Sequence, residues 1–252
     1  MTDLQLLPGA EPWSVDGGPA GALCLHGFTG NPTSMRGVAK AFAAAGFSVE
    51  LPRLPGHGTT VEDMMTTSWA DWTAEVEAAY QRLASRTDKV VVAGLSMGGS
   101  LTLWTALQHP EVAGIVCINP ATTPQAAEVM EMLHGMVDEG TDVMPGIGAD
   151  IADPDATESA YAQVPLRQLI SLVEDGLAPL SGRYGEITCP LLLLTSPQDH
   201  VVEPSNGDLL AETFGGPVER ISLDRSYHVA TLDFDKDVIF DAAVAFGRKV
   251  TG

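Results

Sequence analysis

Residues 90–98 read VVVAGLSMG, an apolar run that leads directly into a Gly-x-Ser-x-Gly pattern centred on Ser96. The run favours a buried β-strand, and the apolar segment after Gly98 favours a helix. Glycines two residues before and two residues after a serine are typical of a nucleophile elbow, because this sharp strand-to-helix turn leaves no space for a Cβ at either position. An ordinary tight loop is the alternative. We predict that Ser96 is a nucleophile at the end of a strand.

Similar apolar runs recur along the chain and alternate with helical patterns. Their nearly continuous apolar character suits strands that are buried on both faces of a parallel sheet. The predicted strands cover residues 21–25, 47–51, 89–93, 113–118, 190–194 and 218–223. The predicted helices cover about 31–45, 68–83, 98–108 and 235–248. This alternation predicts a doubly wound α/β sheet.

One connection is far longer than the others. About 70 residues separate the strands that end near 119 and begin near 189, whereas a parallel crossover needs only about a dozen. We therefore predict an α/β core at 1–119 and 189–252 and a cap insertion at 120–188, with helices at 125–139 and 157–174. Met130 and Met136 are predicted to line an acyl pocket under this cap, because methionine adapts to varied apolar ligands, although core packing explains them equally well.

A serine hydroxyl needs a base and an orienting acid to become nucleophilic. On an elbow of this kind the acid and then the histidine follow later strands. Asp199 lies just beyond the strand at 190–194, and His228 follows the strand at 218–223. Both are predicted loop positions, where catalytic side chains concentrate. The predicted triad is therefore Ser96, Asp199 and His228.

Other residues could fill two of these roles. Glu203 and Asp224 are alternatives to Asp199 as the acid. His57, between two glycines, is interpreted as a turn residue that braces the sheet edge rather than as the base. The remaining histidines are weaker candidates, because they end a helix, lie in the insertion or directly follow the acid; they are His109, His134 and His200.

Charge that develops on an attacked carbonyl oxygen needs two hydrogen-bond donors. The expected donors are the backbone N–H of Met97, which follows the nucleophile, and an N–H from the loop after the first central strand. That loop, residues 26–30, reads HGFTG, and Phe28 is the predicted donor. The side chains of Phe28 and Met97 are also expected to flank the substrate.

Composition excludes several classes of function. The 13 basic and 33 acidic residues give a net charge of −20, so no basic surface exists to meet nucleic-acid phosphates or an anionic membrane. The longest apolar run is too short to cross a bilayer, and we expect no stable membrane insertion. Asp199, His200 and Glu203 match no standard zinc spacing, so neither a metal nor a cofactor is expected.

Cysteine usage and the N-terminus indicate the compartment. Residues 1–8 carry neither a basic region nor an apolar region of a signal peptide. An odd number of cysteines, namely three, provides no disulfide framework. We expect a reduced, cytoplasmic protein.

These motifs resemble those of the α/β-hydrolases, in particular the bacterial carboxylesterase and monoacylglycerol lipase group. The resemblance runs from about residue 21 to the C-terminus and rests on residues 26–30, 56–58, 94–98, 199–204 and 228–233. It implies a mostly parallel eight-stranded sheet with a small cap. It also implies hydrolysis of short or medium acyl esters without a cofactor, with the triad at Ser96, Asp199 and His228 and the oxyanion donors at Phe28 and Met97.

We therefore expect a serine hydrolase that cleaves carboxylic esters through an acyl-enzyme at Ser96, with a small-molecule ester or lipid as substrate. Its rate should fall at acid pH as the histidine protonates. Thioesterases and carbon–carbon bond hydrolases use the same triad, and fold alone does not separate them. A hydrolase-fold sensor of small molecules is a further alternative, distinguished by slow turnover or none. A monomer and a homodimer both fit the sequence.

Overall fold

A central sheet organises the protein, whose computed structural model describes residues 5–252. The strands are β1 (Trp13–Val15), β2 (Ala20–Leu25), β3 (Ser48–Leu51), β4 (Lys89–Leu95), β5 (Gly114–Ile118), β6 (Val143–Pro145), β7 (Gln163–Pro165), β8 (Leu191–Thr195) and β9 (Val218–Ser222). Seven of them form the sheet in the order β1-β3-β2-β4-β5-β8-β9. All neighbours in it are parallel except β1 and β3, which are antiparallel.

Helices cover both faces of this sheet. They are α1 (Arg36–Ala44), α2 (Val61–Met64), α3 (Trp69–Ala84), α4 (Met97–Gln108), α5 (Ala127–Asp138), α6 (Leu166–Ser171), α7 (Ala178–Ser181), α8 (Ser205–Thr213) and α9 (Lys236–Thr251). A π-helical stretch, Leu172–Leu177, joins α6 to α7. The predicted alternation of strands and helices in the core is therefore present.

Successive side chains of each central strand enter opposite layers of the core. In β4, Val90 and Val92 belong to the layer under α3 and α4, whereas Val91 and Ala93 belong to the layer under α1 and α9. This is the period-two alternation of a strand, and it places apolar residues on both faces because helices cover both. All four of these side chains are at most 4% exposed. The buried strands hold the loops at their carboxyl ends in fixed positions.

The sheet has seven strands within residues 5–252, rather than the expected eight. Before the edge strand β1, the chain turns at Gly9, whose φ is +81°. The N–H of Leu7 donates to the carbonyl of Gly58, 2.8 Å away. The chain before β1 thus leaves the sheet to pack on a loop, and residues 5–12 add no further strand.

Residues 120–188, called the insertion below, connect β5 to β8 and contain α5, the two-stranded antiparallel pair β6 and β7, α6 and α7. The predicted helix at 125–139 is present as α5. The predicted helix at 157–174 is wrong in its first half, because a helix begins only at Leu166. Tyr161 explains the extended chain there: its hydroxyl donates to the Gly56 carbonyl, and its N–H donates to the Thr29 carbonyl.

Apolar residues of the insertion join the core layer under α3 and α4. Leu133, Leu166, Val173 and Leu177 all belong to that layer. Each apolar side chain that is fully buried in this way stabilises the folded protein by about 1.5–3 kcal/mol. Within residues 5–252, no helix combines the length and hydropathy needed to span a bilayer.

Candidate functional site

Ser96 lies where β4 turns into α4, in a backbone conformation with φ 58° and ψ −121°. A Cβ at Gly94 would lie 2.0 Å from the carbonyl oxygen of Gly98, and a Cβ at Gly98 would lie 2.2 Å from that of Leu25. Neither position can hold a side chain without moving backbone. The geometry is that of the elbow expected from the sequence, and it points Ser96 away from the strand that carries it.

Backbone strain concentrates at this edge of the sheet. Within residues 5–252, three non-glycine residues have positive φ: Thr29 at 59°, Ser96 at 58° and Asn119 at 41°. They follow β2, β4 and β5, three neighbouring strands of the sheet. Such conformations cost about 1–3 kcal/mol each and persist where the surroundings enforce them, often at functional sites. The clustering marks the carboxyl ends of β2, β4 and β5 as the candidate site.

The predicted acid and histidine are paired. His228 Nδ1 lies 2.7 Å from Asp199 Oδ2, and both side chains are under 10% exposed. The other carboxylate oxygen of Asp199 accepts the backbone N–H groups of Val201 and Val202. Because these two bonds fix the carboxylate, Oδ2 is left to orient the imidazole. Neither Glu203 nor Asp224 bonds to His228, so the alternative acids are not part of this pair.

Asn119, which the sequence analysis missed, connects the loops of the acid and the histidine. Its side-chain amide donates to the carbonyl of His228 at 2.8 Å and to the hydroxyl of Ser196 at 3.0 Å. Its amide oxygen accepts the Ser196 N–H at 2.7 Å. Asn119 directly follows β5, and the rule that ligands gather at carboxyl ends of parallel strands could have found it.

The two predicted oxyanion donors directly follow Gly27 and Ser96 in the chain. Neither the Phe28 N–H nor the Met97 N–H has a protein acceptor within the described chain. Gly27 brings the Phe28 loop close to the elbow, because a Cβ on Gly27 would lie 3.3 Å from the Ser96 Cβ. Two free N–H groups beside a nucleophile can stabilise an oxyanion.

Two buried histidines connect the Phe28 loop to residues 54–57. His26 Nε2 accepts the N–H of Leu54, and His57 Nδ1 donates to the Pro55 carbonyl. The ring of His57 packs edge-on against Phe28. Burial lowers the pKa of His57 to about 4 and the pKa of His26 well below its usual range. His57 is thus neutral at pH 7 and packs against Phe28, and it does not take part in the pair of Asp199 and His228.

A cavity of about 270 Å³ opens above Ser96 and His228. Most of its lining is apolar, and much of it comes from the insertion, including Met144, Ile147, Val164 and Leu169. Glu158 is the charged exception among those insertion residues. Burial raises the pKa of the Glu158 carboxyl above its usual range, and the nearby His228 offsets part of that rise.

Three predicted substrate contacts do not line this cavity. Met130 is buried in the core and Met136 packs beside it, while Met144 of the same insertion does reach the cavity. The Met97 side chain is fully buried in the core. Phe28 does line the cavity. Met130 and Met136 do not reach the cavity because the apolar side of α5 packs against the core.

The remaining histidines lie outside the cavity. His109 is mostly buried and contacts Glu77, His134 contacts Glu174 at a half-exposed position, and His200 contacts Asp150. Within the described residues, no cluster of three or more His, Cys, Asp or Glu side chains has the geometry to hold a metal ion.

Comparison with known proteins identifies the family. Residues 19–235 match the family model described as Serine aminopeptidase, S33 (Hydrolase_4). The chain is 42% identical over 250 residues to the thermostable monoacylglycerol lipase of Bacillus sp. (strain H-257), covering 98% of both chains. It is 24% identical to the carboxylesterase of Bacillus subtilis (strain 168), covering 95% of this chain and 97% of that one.

The chain also matches a solved structure whose description concerns LipS and LipT, two metagenome-derived lipolytic enzymes. The TM-score is 0.91 at 42% identity, and the match covers 97% of this chain and 100% of that one. The fold and these relatives define the class, which is an ester hydrolase with the α/β-hydrolase fold. The chain belongs to the Serine aminopeptidase S33 family of that fold. The expected fold, family and enzyme class are confirmed.

Proposed function

We propose that this ester hydrolase is a monoacylglycerol lipase that works through an acyl-enzyme on Ser96. The observation that carries the proposal is the shared cavity of Ser96, His228 and Glu158, whose lining is mostly apolar and in which Glu158 is the one carboxylate among the described residues. An acyl chain needs an apolar wall, and a glycerol leaving group needs a polar group for its free hydroxyls. The 42% identity to a monoacylglycerol lipase over 98% of the chain supports the same substrate.

The mechanism assigns one role to each group. His228 accepts the Ser96 proton while the Ser96 oxygen attacks the ester carbonyl, and Asp199 holds the imidazole in the tautomer that can accept it. The N–H groups of Phe28 and Met97 bind the oxyanion, each worth about 2.7–4 kcal/mol in the transition state. His228 then donates its proton to the departing glycerol oxygen. Water, deprotonated by His228, releases the fatty acid.

Glu158 recognises the leaving group in this proposal. Its partly buried carboxyl accepts hydrogen bonds from glycerol hydroxyls, and a substrate without those hydroxyls leaves the carboxyl without these partners. A site that hydrogen-bonds a substrate hydroxyl discriminates against an analogue without the hydroxyl more strongly than an apolar pocket discriminates against one without a methylene. The insertion, which supplies Glu158 and most of the apolar lining, acts as the cap, with core boundaries at 1–119 and 189–252.

The first test removes the nucleophile. Ser96→Ala should lower kcat on a p-nitrophenyl ester by at least about 10³-fold, with unchanged thermal unfolding. Ser85→Ala, at the exposed end of α3, is the matched control and should retain wild-type turnover. Substantial turnover by Ser96→Ala would overturn the acyl-enzyme mechanism.

The second test addresses the leaving group. Wild-type enzyme should hydrolyse a monoacylglycerol with a kcat/KM at least about tenfold above that for the methyl ester of the same fatty acid. Glu158→Leu should lose most of this preference while retaining turnover of the methyl ester. No preference in the wild-type enzyme would leave general carboxylesterase activity as the function, and faster cleavage of the matching acyl-CoA would favour a thioesterase. An undiminished preference in Glu158→Leu would show that another group recognises the glycerol.

We also propose that the enzyme acts in a reducing compartment, the cytoplasm, as a monomer or homodimer. Its three cysteines are free, and Cys24 and Cys117 are buried. Burial raises the pKa of both thiols, which keeps them unreactive. Sedimentation velocity of the purified chain would distinguish the two assemblies.

A further inference from the structure

Asp150 of the insertion contacts the loops of both predicted triad partners. Its Oδ2 accepts the backbone N–H of His228 at 3.0 Å and the backbone N–H of His200 at 3.1 Å. Its Oδ1 lies 2.8 Å from Nδ1 of His200. Its own carbonyl accepts the N–H of Val229 at 3.0 Å. The Asp150 side chain is 9% exposed, so water competes poorly for these contacts.

The bonded residues explain why these contacts matter. His228 carries the imidazole, and His200 directly follows Asp199 in the chain. One carboxylate oxygen of Asp150 therefore joins the residue after the acid to the backbone of the histidine. Asn119 donates to the carbonyl of the same peptide unit, that of Tyr227, at 3.2 Å, and to the carbonyl of His228 at 2.8 Å. The 2.7 Å bond between Asp199 and His228 thus lies between two side chains, Asp150 and Asn119, that make no hydrogen bond to the His228 imidazole.

We propose that Asp150 is a positioning residue for the triad, which sets the separation of the Asp199 and His228 loops through the geometry of its acceptor oxygens. It acts by hydrogen-bond geometry and not by its charge. The proposal uses the triad mechanism proposed above but not the choice of monoacylglycerol as substrate.

Two substitutions separate geometry from charge. In Asp150→Asn, the amide oxygen can accept both backbone N–H groups while its NH₂ donates to Nδ1 of neutral His200, so the geometry is kept and the charge is lost. In Asp150→Glu, the charge is kept, but an added methylene displaces the oxygens from both N–H groups. Displacement of about 1 Å in a catalytic site can cost about 100-fold in rate.

A matched control lies three residues away. The carboxylate of Asp153 accepts only the N–H of Asp155, within its own turn. Asp153→Asn therefore removes the same charge from the same segment without touching either triad loop. It should leave kcat and KM at their wild-type values.

The experiment measures kcat and KM on a p-nitrophenyl ester, with thermal unfolding as the check on folding. Asp150→Glu should lower kcat by about 100-fold with KM changed less than threefold, and Asp150→Asn should lose no more than about threefold. The downfield proton resonance of the His228 Nδ1–H should persist in Asp150→Asn and shift or broaden in Asp150→Glu. Should Asp150→Glu not fold, Asp150→Ser, whose single oxygen lies too far back to join both loops, replaces it with the same expectation.

Three outcomes would overturn the proposal: wild-type kcat in Asp150→Glu, a loss in Asp150→Asn as large as in Asp150→Glu, or an effect confined to KM. Ser96→Ala is assayed in parallel. If Ser96→Ala stays active, the triad mechanism itself fails; if Ser96→Ala is inactive while Asp150→Glu matches wild type, only the role of Asp150 fails.

Discussion

The elbow at Ser96 and the insertion differ in how much change their backbones tolerate. At the elbow, a Cβ on Gly98 would lie 2.2 Å from backbone oxygen, and the adjacent Leu25 is fully buried. In the insertion, a Cβ on Gly135 or on Gly182 would meet no atom within 4 Å, and Ile147, which lines the cavity, is 69% exposed. The groups proposed for bond cleavage thus lie where neighbouring backbone forbids change, and much of the cavity wall lies where change is tolerated.

This difference separates two requirements of an esterase. The nucleophile, acid and oxyanion donors must keep their mutual geometry to within fractions of an ångström. The acyl wall needs only apolar surface of suitable size, because each methylene of substrate contributes about 0.8 kcal/mol. Asp150 connects the two regions, since it belongs to the insertion but bonds to the loops of Asp199 and His228.

The contrast is tested by one glycine-to-alanine substitution in each region, and this test has the largest expected effect. Gly98→Ala should destabilise the fold by about 3 kcal/mol or more, because its Cβ must displace the backbone at the end of β2. Gly135→Ala, on an exposed turn of α5, should instead stabilise by about 0.5–1 kcal/mol through helix propensity. Urea unfolding of both variants measures the difference. Equal effects at the two glycines would contradict the contrast.

The loss of folding stability at acid pH should come from a histidine in the core and not from the histidine in the insertion. Burial lowers the pKa of His57 to about 4, from 6.5 for an exposed imidazole. The unfolded chain therefore binds a proton that the folded chain rejects, so stability is present above pH 6.5 and is lost as pH falls toward 4. His57 should contribute about 2 kcal/mol to the loss between pH 7 and pH 5.

The measurement is urea unfolding at the two pH values. His57→Gln should reduce the acid-linked loss, while His134→Gln, at a half-exposed site on α5, should leave it unchanged. An undiminished loss in His57→Gln would show that other groups carry the acid dependence.

Sequence patterns predicted the regular part of the molecule well. Strand runs buried on both faces, such as the one at 89–93, have a signal that depends only on local composition. The order of Ser96, Asp199 and His228 followed from the same alternation, because each lies just after a strand. The pairing of Asp199 with His228 could thus be foreseen without any knowledge of the loops themselves.

The insertion was predicted poorly because its conformation depends on distant contacts. Residues 157–162 have a helical pattern, yet bonds from Tyr161 to Gly56 and Thr29 hold them extended. Glu158 and Asp150 lie in irregular segments, where no periodicity marks which side chain faces the cavity. Met130 and Met136 were correctly assigned to a helix, but their composition could not tell which of its sides meets the core.

The smallest expected effect tests where the acyl chain binds. Leu169 lines the cavity, whereas Met136 packs against the core outside it. Leu169→Phe should shorten the preferred acyl chain and lower kcat/KM for long-chain p-nitrophenyl esters by roughly tenfold, the equivalent of about two methylenes of lost contact. Because Leu169 is only partly buried and has the cavity beside it, the free energy of unfolding should change by less than about 1 kcal/mol. Met136→Phe adds a ring to the same insertion and should leave the chain-length profile unchanged; an equal shift in that variant would move the acyl site back toward α5.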